Sequence, residues 1–443
     1  MLGIRIKRGD TPDGSDGRLG GVPAGWAVVL VALLVSGAGA QEGVSSDEGL
    51  VLPEDLVVGT FDLDRPSAEP IEASALFPIA DSTGPQLFSS KDFQLGLDLS
   101  GVYDDNIFIS STDKVSDFIF RITPIVGFGA GDTVLREDSY VSVLYSPTGE
   151  IFTDNSDQNS FNQDLLLAVG YRFHKLKISY LGRYETLSDA TADVGDRFDR
   201  RIYSNFLELA YDLSPKTRLI ARGDAYNVKY KDRVDIERSD EWSVDVLLEY
   251  DLTDKTKLAL GYGYGTLDVT PSSSIQRFHR GLVEAEWSFS DKITFLGTGG
   301  VEFRDFGASN ATTGIYDLGF DYRLREGTEF GLRSYRRVEA SAFTVDQDFV
   351  ATGVNASFRQ RLGRRWAFLL DAGYEWANYE DISGESEGPD RRDKVFYVRP
   401  SLAYSLREWM TFELFYRYEE DDSNFADFDY DNNQFGAQIR MEF

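Results

Sequence analysis

The stretch N-Q-F-G-A-Q-I-R-M-E-F, Asn433 to Phe443, decides how the rest of the chain is read. Phe435, Ala437, Ile439, Met441 and Phe443 fall on one face, and Gln434, Gln438, Arg440 and Glu442 on the other. That is the period of a β-strand. A strand that stays apolar on one face to its last residue carries backbone groups that an apolar medium does not solvate, so it must pair on both edges. The stretch therefore predicts an all-β fold, a transmembrane antiparallel up-and-down β-barrel.

Working outward from that strand, one kind of turn recurs at a spacing of about forty residues, each copy preceded by an aromatic strand end. The copies read Y-R-F-H-K-L-K-I (171–178), Y-D-L-S-P-K-T-R-L (211–219), Y-D-L-T-D-K-T-K-L (250–258) and F-S-D-K-I-T-F (289–295), then Y-R-L-R-E-G-T-E-F (322–330), R-L-G-R-R-W-A-F (361–368) and Y-S-L-R-E-W-M-T-F (404–412). A looser copy joins Phe128 to Tyr140. Eight turns joining sixteen strands, with the strand from Phe93 and the terminal one, predict about 18 strands. Longer polar links lie between the turns, at Asp104–Ser116, Leu187–Arg200, Tyr379–Asp393 and Glu419–Asn432. Short turns on one side and long loops on the other predict periplasmic turns, extracellular loops and both termini in the periplasm.

Composition agrees with strands and turns: 23 Tyr, 31 Phe, 41 Gly, 3 Met and no Cys. Mean hydropathy of -0.31 fits a barrel strand, which shows lipid only every second residue. Residues 1–40 read as a signal peptide, with Arg5, Lys7, Arg8 and Arg18 before the apolar run Ala24–Val35 and Ala38-Gly39-Ala40 before the expected cleavage at Gln41; an uncleaved anchor is disfavoured because the run is short. Residues 41–91, acidic and Pro-bearing, read as a disordered periplasmic lead, or alternatively as a plug in the lumen, and 92–443 as the barrel. A net charge of -29 argues against nucleic acid.

Eighteen strands spaced about 4.8 Å and tilted about 40° enclose a backbone diameter of roughly 35 Å, enough for an aqueous lumen. Alternation points Leu258, Leu260, Tyr262 and Tyr264 to lipid, and likewise Trp366, Phe368, Leu370, Ala372, Tyr374 and Trp376. The inward parity carries Arg121, Arg172, Arg183, Arg218, Arg222, Glu284, Glu286, Glu302, Arg333, Asp371, Glu375, Arg417 and Arg440 as lumen-lining candidates. Arginines dominate strands two to seven and acids strands eight to eleven, which either sets a field across the pore or pairs off between neighbours. Phe206, Tyr226, Tyr335 and Tyr397 are inward aromatics able to stack on sugar rings, and no loop is long enough for an obvious folded-in constriction.

No catalytic site is expected: there are two histidines, His174 and His279, and no G-x-S-x-G. No cofactor is expected either. Asp427, Asp429 and Asp431 offer oxygens for Ca²⁺, but lack a loop Gly and closing Glu and read as a solvated acidic loop.

The terminal strand resembles the assembly signal of bacterial outer-membrane barrels, with Phe435, Ile439, Met441 and Phe443 as its apolar residues. G-V-Y-D-D-N-I-F (101–108) followed by S-D-F-I-F-R-I-T-P-I-V-G-F (116–128) resembles the first hairpin of a family of outer-membrane porins from exopolysaccharide biosynthesis and export clusters. The resemblance implies a Gram-negative outer-membrane conduit for a polysaccharide, assembled by the barrel machinery among lipid and lipopolysaccharide and served by a periplasmic export protein. A general diffusion porin and a structural or adhesive barrel are the other readings.

Overall fold

Alternating side chains give 19 strands among the described residues of the computed structural model. They are β1 Phe93–Asp104, β2 Asp117–Gly131, β3 Tyr140–Tyr145, β4 Thr148–Phe152, β5 Ser160–Phe173, β6 Leu176–Thr191, β7 Asp196–Ser214, β8 Thr217–Tyr230, β9 Arg238–Thr253 and β10 Thr256–Thr270. They continue as β11 Ile275–Ser290, β12 Ile293–Asp305, β13 Asn310–Arg325, β14 Thr328–Ala340, β15 Gln347–Leu362, β16 Trp366–Asp381, β17 Arg392–Arg407, β18 Met410–Asp421 and β19 Tyr430–Glu442. The structure describes residues 93–131, 139–193, 196–231, 238–270, 275–306, 309–325, 327–341, 347–381 and 390–443. The expected signal peptide and acidic lead lie outside them.

Strands β3 and β4 are two halves of one wall position, because both pair with β2 on one side and β5 on the other. Pro147, with no N–H to give the ladder, stands at the break. Nineteen strands thus fill 18 positions, and β1 closes the ring against β19 from Gly96↔Glu442 to Asp104↔Gln434. Every pairing is antiparallel between neighbours, as an up-and-down barrel requires.

Seven of the eight expected turns fall between consecutive strands, and the looser one lies partly outside the described residues. Each is tied to the next hairpin by its backbone: the carbonyls of Lys175, Lys216, Lys255 and Lys292 accept from the N–H groups of Asp212, Asp251, Ser288 and Arg323 at 2.8–2.9 Å. His174, Gly327 and Gly363 sit at φ 53°, 76° and 80° in these turns, the conformation that reverses a hairpin so tightly. We call this the turn end, and the opposite rim the loop end.

Apart from the split β3 and β4, strands run 12–19 residues, longer than the about 9–11 that cross a bilayer. The excess projects at the loop end, and there the expected boundaries need correction. Leu187–Arg200 is not a loop: β6 continues to Thr191 and β7 resumes at Asp196. Beyond the lipid the outward face no longer needs apolar residues, so the period of two persists with polar side chains on both faces and reads in sequence as a polar link. The link at Tyr379–Asp393 shrinks likewise, since β16 reaches Asp381 and β17 begins at Arg392. Within the span, Leu258, Leu260, Tyr262, Trp366 and Trp376 are exposed on the outer wall, as the alternation predicts.

Candidate functional site

The inner face is built from ion pairs that run across strands and along them. Arg121 binds Glu150 at 2.7 Å, Arg183 binds Asp164 at 2.9 Å and Glu185 at 3.0 Å, and Arg218 binds Asp212 at 3.0 Å and Glu249 at 3.1 Å. Arg222 holds Glu208 at 2.9 Å and reaches over two strands to Glu284 at 2.5 Å. Lys257 pairs with Glu286, Arg304 with Glu302, Arg333 with Asp317, Arg399 with Glu413, Arg417 with Glu419 and Arg440 with Asp98. Asp371 stands opposite Arg399 in the ladder, Glu375 accepts from the Tyr335 hydroxyl, and Arg172 lies exposed at the turn end. Among the described residues these charges therefore pair with neighbours.

Inward aromatics take a repeated arrangement. A Cβ built on Gly353 would meet the Tyr335 ring at 2.3 Å, on Gly373 the Tyr397 ring at 2.3 Å, on Gly436 the Phe415 ring at 2.1 Å, and on Gly265 the Phe278 ring at 2.3 Å. Each glycine is the direct cross-strand partner of its ring, which fills the space a side chain would take. A guanidinium then covers the ring: Arg337 over Tyr335 at 4.6 Å, Arg399 over Phe415 at 4.6 Å, Arg417 over Tyr397 at 5.7 Å, and both Arg280 and Arg304 over Phe278. Tyr335 and Tyr397 are buried by these layers, which corrects their reading as open platforms for sugar rings. Phe206 and Tyr226 stay half-buried on the inner faces of β7 and β8.

The two ends of the interior differ. Near the turns the long charged side chains reach water, with Arg440 50% exposed and Arg218 and Lys257 36%, while the short inward residues Ala210, Ile220 and Ala259 pack beneath them against the wall. Toward the loops, Val102, Ile119, Phe278, Arg280, Arg304, Phe349 and Asp421 are all buried.

At this end Ala192 and Asp193, just past β6, reach across the interior. Arg391, on the opposite wall just before β17, donates Nη1 to the Asp193 carbonyl and Nη2 to the Ala192 carbonyl, both at 2.8 Å. The Asp193 carboxylate accepts from Ser341 Oγ at 2.8 Å and Tyr379 OH at 3.1 Å. Ala192 packs with Ile109 and Tyr430, flanked by Ala190 and Val395. Arg391 is itself clamped between the Phe428 and Tyr379 rings and paired to Asp393 at 2.6 Å. Its carboxylate and tyrosine neighbours offset the burial that by itself would lower its pKa, and hold it above the ordinary guanidinium value. A constriction does fold in, contrary to the expectation from loop lengths. It consists of the short turn Ala192–Asp193 carried inward on the extended strand β6, so loop length gave no sign of it.

The D-D-N run of the first hairpin has a structural role at the barrel seam. Asn106, fully buried, takes its N–H to Asp104 Oδ1 at 2.9 Å, and its amide bonds Ser110 and the Asp431 carbonyl at 2.9–3.0 Å. Asp105 receives both the backbone and the amide N–H of Asn433, and Asp104 the amide of Gln434. Thus Asp104–Asn106 stitches β1 to the head of β19. Phe443 continues the seam at the other end, its N–H donating to the Leu95 carbonyl at 2.7 Å and its ring stacked on Trp409.

Among the described residues no group of three Asp, Glu, His or Cys side chains is placed to hold a metal. Asp427 and Asp429 are exposed, and Asp431 pairs with Lys114 at 2.5 Å.

Residues 302–443 match the family described as "Putative beta-barrel porin 2". The match covers the last third of the chain and is a finding of porin-type relationship; it does not reach the first hairpin. No curated protein matches the chain. Similar solved structures include OpdQ of Pseudomonas aeruginosa (TM-score 0.42, 14% identity, covering 80% of this chain and 98% of that one) and OpdO of the same organism (0.43, 11%, 80% and 97%). The siderophore receptor PirA of Pseudomonas aeruginosa is similar at 0.38 and 12%, covering 80% and 81%. The chain is a closed antiparallel β-barrel whose last third resembles that porin family.

Proposed function

We propose that the barrel is a gated outer-membrane conduit, closed at its loop end in this conformation, and that its cargo is an exopolysaccharide chain. The turns face the periplasm and the loops the outside, so the wet turn end is the entrance, where a periplasmic export protein delivers polymer. The observation that carries the gate is the anchoring of Ala192 and Asp193 by Arg391 across the mouth. A general diffusion porin needs a standing aperture, and this contact works against one. The ion-paired wall supports a hydrated, sugar-compatible path once the tip withdraws. The polysaccharide itself is supported by the resemblance of residues 101–128. No catalytic role is assigned to any residue.

The test is efflux from liposomes loaded with neutral and acidic oligosaccharides of graded length. Wild-type barrel retains all of them, and Arg391→Ala releases long as well as short chains. Release by wild type would overturn the gate. Release by the variant of monosaccharides alone would overturn the polymer cargo in favour of a diffusion porin.

A further inference from the structure

The outer wall carries a second feature close to the hairpin that closes the mouth. Arg201 on β7 and Lys229 on β8 are direct cross-strand partners and both point outward, exposed. One step beyond Val228↔Ser239 in the β8–β9 ladder, Arg238 stands level with Lys229 and is exposed too. Three cations thus stand side by side across three strands. Like charges directly opposite in a sheet repel.

Among the described residues, nearby carboxylates offset this only in part. Asp240 is shared between Arg238 at 3.2 Å and the Asn227 amide at 2.9 Å, and Asp199 binds Lys231 at 3.4 Å and the Ser188 hydroxyl. Among the described residues Arg201 and Lys229 have no acidic partner. The row also has a definite height. One residue pair nearer the turn end lie the packed rings of Tyr184 and Tyr203, centroids 4.9 Å apart, and next to them Trp242 against Tyr264. Tyr and Trp mark the membrane interface. Two residues along a strand tilted about 40° rise about 5 Å, which brings the cations to the headgroup phosphates.

We infer that Arg201, Lys229 and Arg238 form a binding site for the phosphates of an outer-leaflet lipid, the phosphorylated glucosamine headgroup of lipid A. The guanidiniums on either side bind phosphate through paired N–H groups, and the ammonium between them neutralises the second charge. The site rests on the orientation proposed above, with loops outside. Because Arg200, the residue before Arg201, is buried inward against Asp189, the bound headgroup would hold the outer side of the strand whose tip closes the mouth.

The experiment is native mass spectrometry of the full chain in detergent, titrated with bisphosphorylated lipid A and with lipid A stripped of both phosphates. Wild type is expected to retain the bisphosphorylated form at least tenfold more tightly than the stripped form. Arg201→Gln with Lys229→Gln loses that preference, and Arg201→Lys with Lys229→Arg keeps it. Equal binding of the two lipids by wild type overturns the inference without any variant having to fold, and so does an unchanged preference in the glutamine variant. Orientation is read separately by labelling Thr112→Cys in intact cells with a membrane-impermeant maleimide. Labelling without lipid preference rejects the site alone, whereas failure to label rejects the orientation and the site with it.

Discussion

At the turn end and at the loop end the barrel uses the same materials, an alternating strand with arginines and carboxylates on its inner face, and obtains opposite results. Near the turns Arg440–Asp98 and Lys257–Glu286 stand in water, and such pairs are worth about 0–1 kcal/mol each. Near the loops Arg304–Glu302, Arg337–Glu339 and Arg391–Asp393 are buried among rings and glycines, where removing one partner costs roughly 3–5 kcal/mol. The chemical pairing is alike and the difference is what surrounds it. A wide barrel is not open by virtue of its strand number; it is open only at the levels where its lining is not packed.

If that contrast is right, stability should be concentrated at the loop end. The largest of three effects is expected at the seam: Asn106→Ala removes three hydrogen bonds from a fully buried side-chain amide and should destabilise the folded barrel by about 2–4 kcal/mol, seen as a lower midpoint in urea unfolding from detergent. An unchanged midpoint would mean that the stitch between β1 and β19 is incidental. A smaller loss, about 1–3 kcal/mol, should follow Gly353→Ala, whose methyl enters the space of the Tyr335 ring. Gly353→Ala combined with Tyr335→Ala should recover part of it if the ring is the cause. The smallest effect belongs to the turn end: Arg440→Gln should shift the unfolding midpoint by less than about 1 kcal/mol, and a shift as large as that of Asn106→Ala would erase the contrast.

Much of the architecture is legible in the residues. The Y-D-L-x-x-K-T pattern at 211–217 and 250–256 marks turns because the chain reverses there in two residues, and a local signal needs no tertiary information. The lipid face is legible for the same reason, since Leu258, Leu260 and Tyr262 answer to the bilayer alone. What the reading missed depends on partners far away. Arg391 has no local feature to pair it with Ala192 and Asp193 across the mouth, and the hairpin tip passes for a loop because its strands rise above the lipid. Tyr335 and Tyr397 are sugar platforms by type but covered surfaces in place. Their signal was present in Gly353 and Gly373, glycines at inward strand positions, which mark where a neighbouring ring must lie. The Asp104–Asn106 run reads as the start of a polar link and proved to be a seam as well, because Asn433 and Gln434 meet it only when the ring closes.

The central claim, that a side-chain anchor at the loop end keeps the conduit shut, is tested most directly by planar-bilayer recording of the wild-type barrel and Arg391→Ala. Two charge-assisted hydrogen bonds at about 1.5–3 kcal/mol each are lost, so the closed-to-open ratio should fall by at least tenfold. Long closed periods in wild type giving way to sustained large conductance in the variant is the predicted result. A wild-type barrel that conducts steadily, with Arg391→Ala indistinguishable from it, would contradict the account.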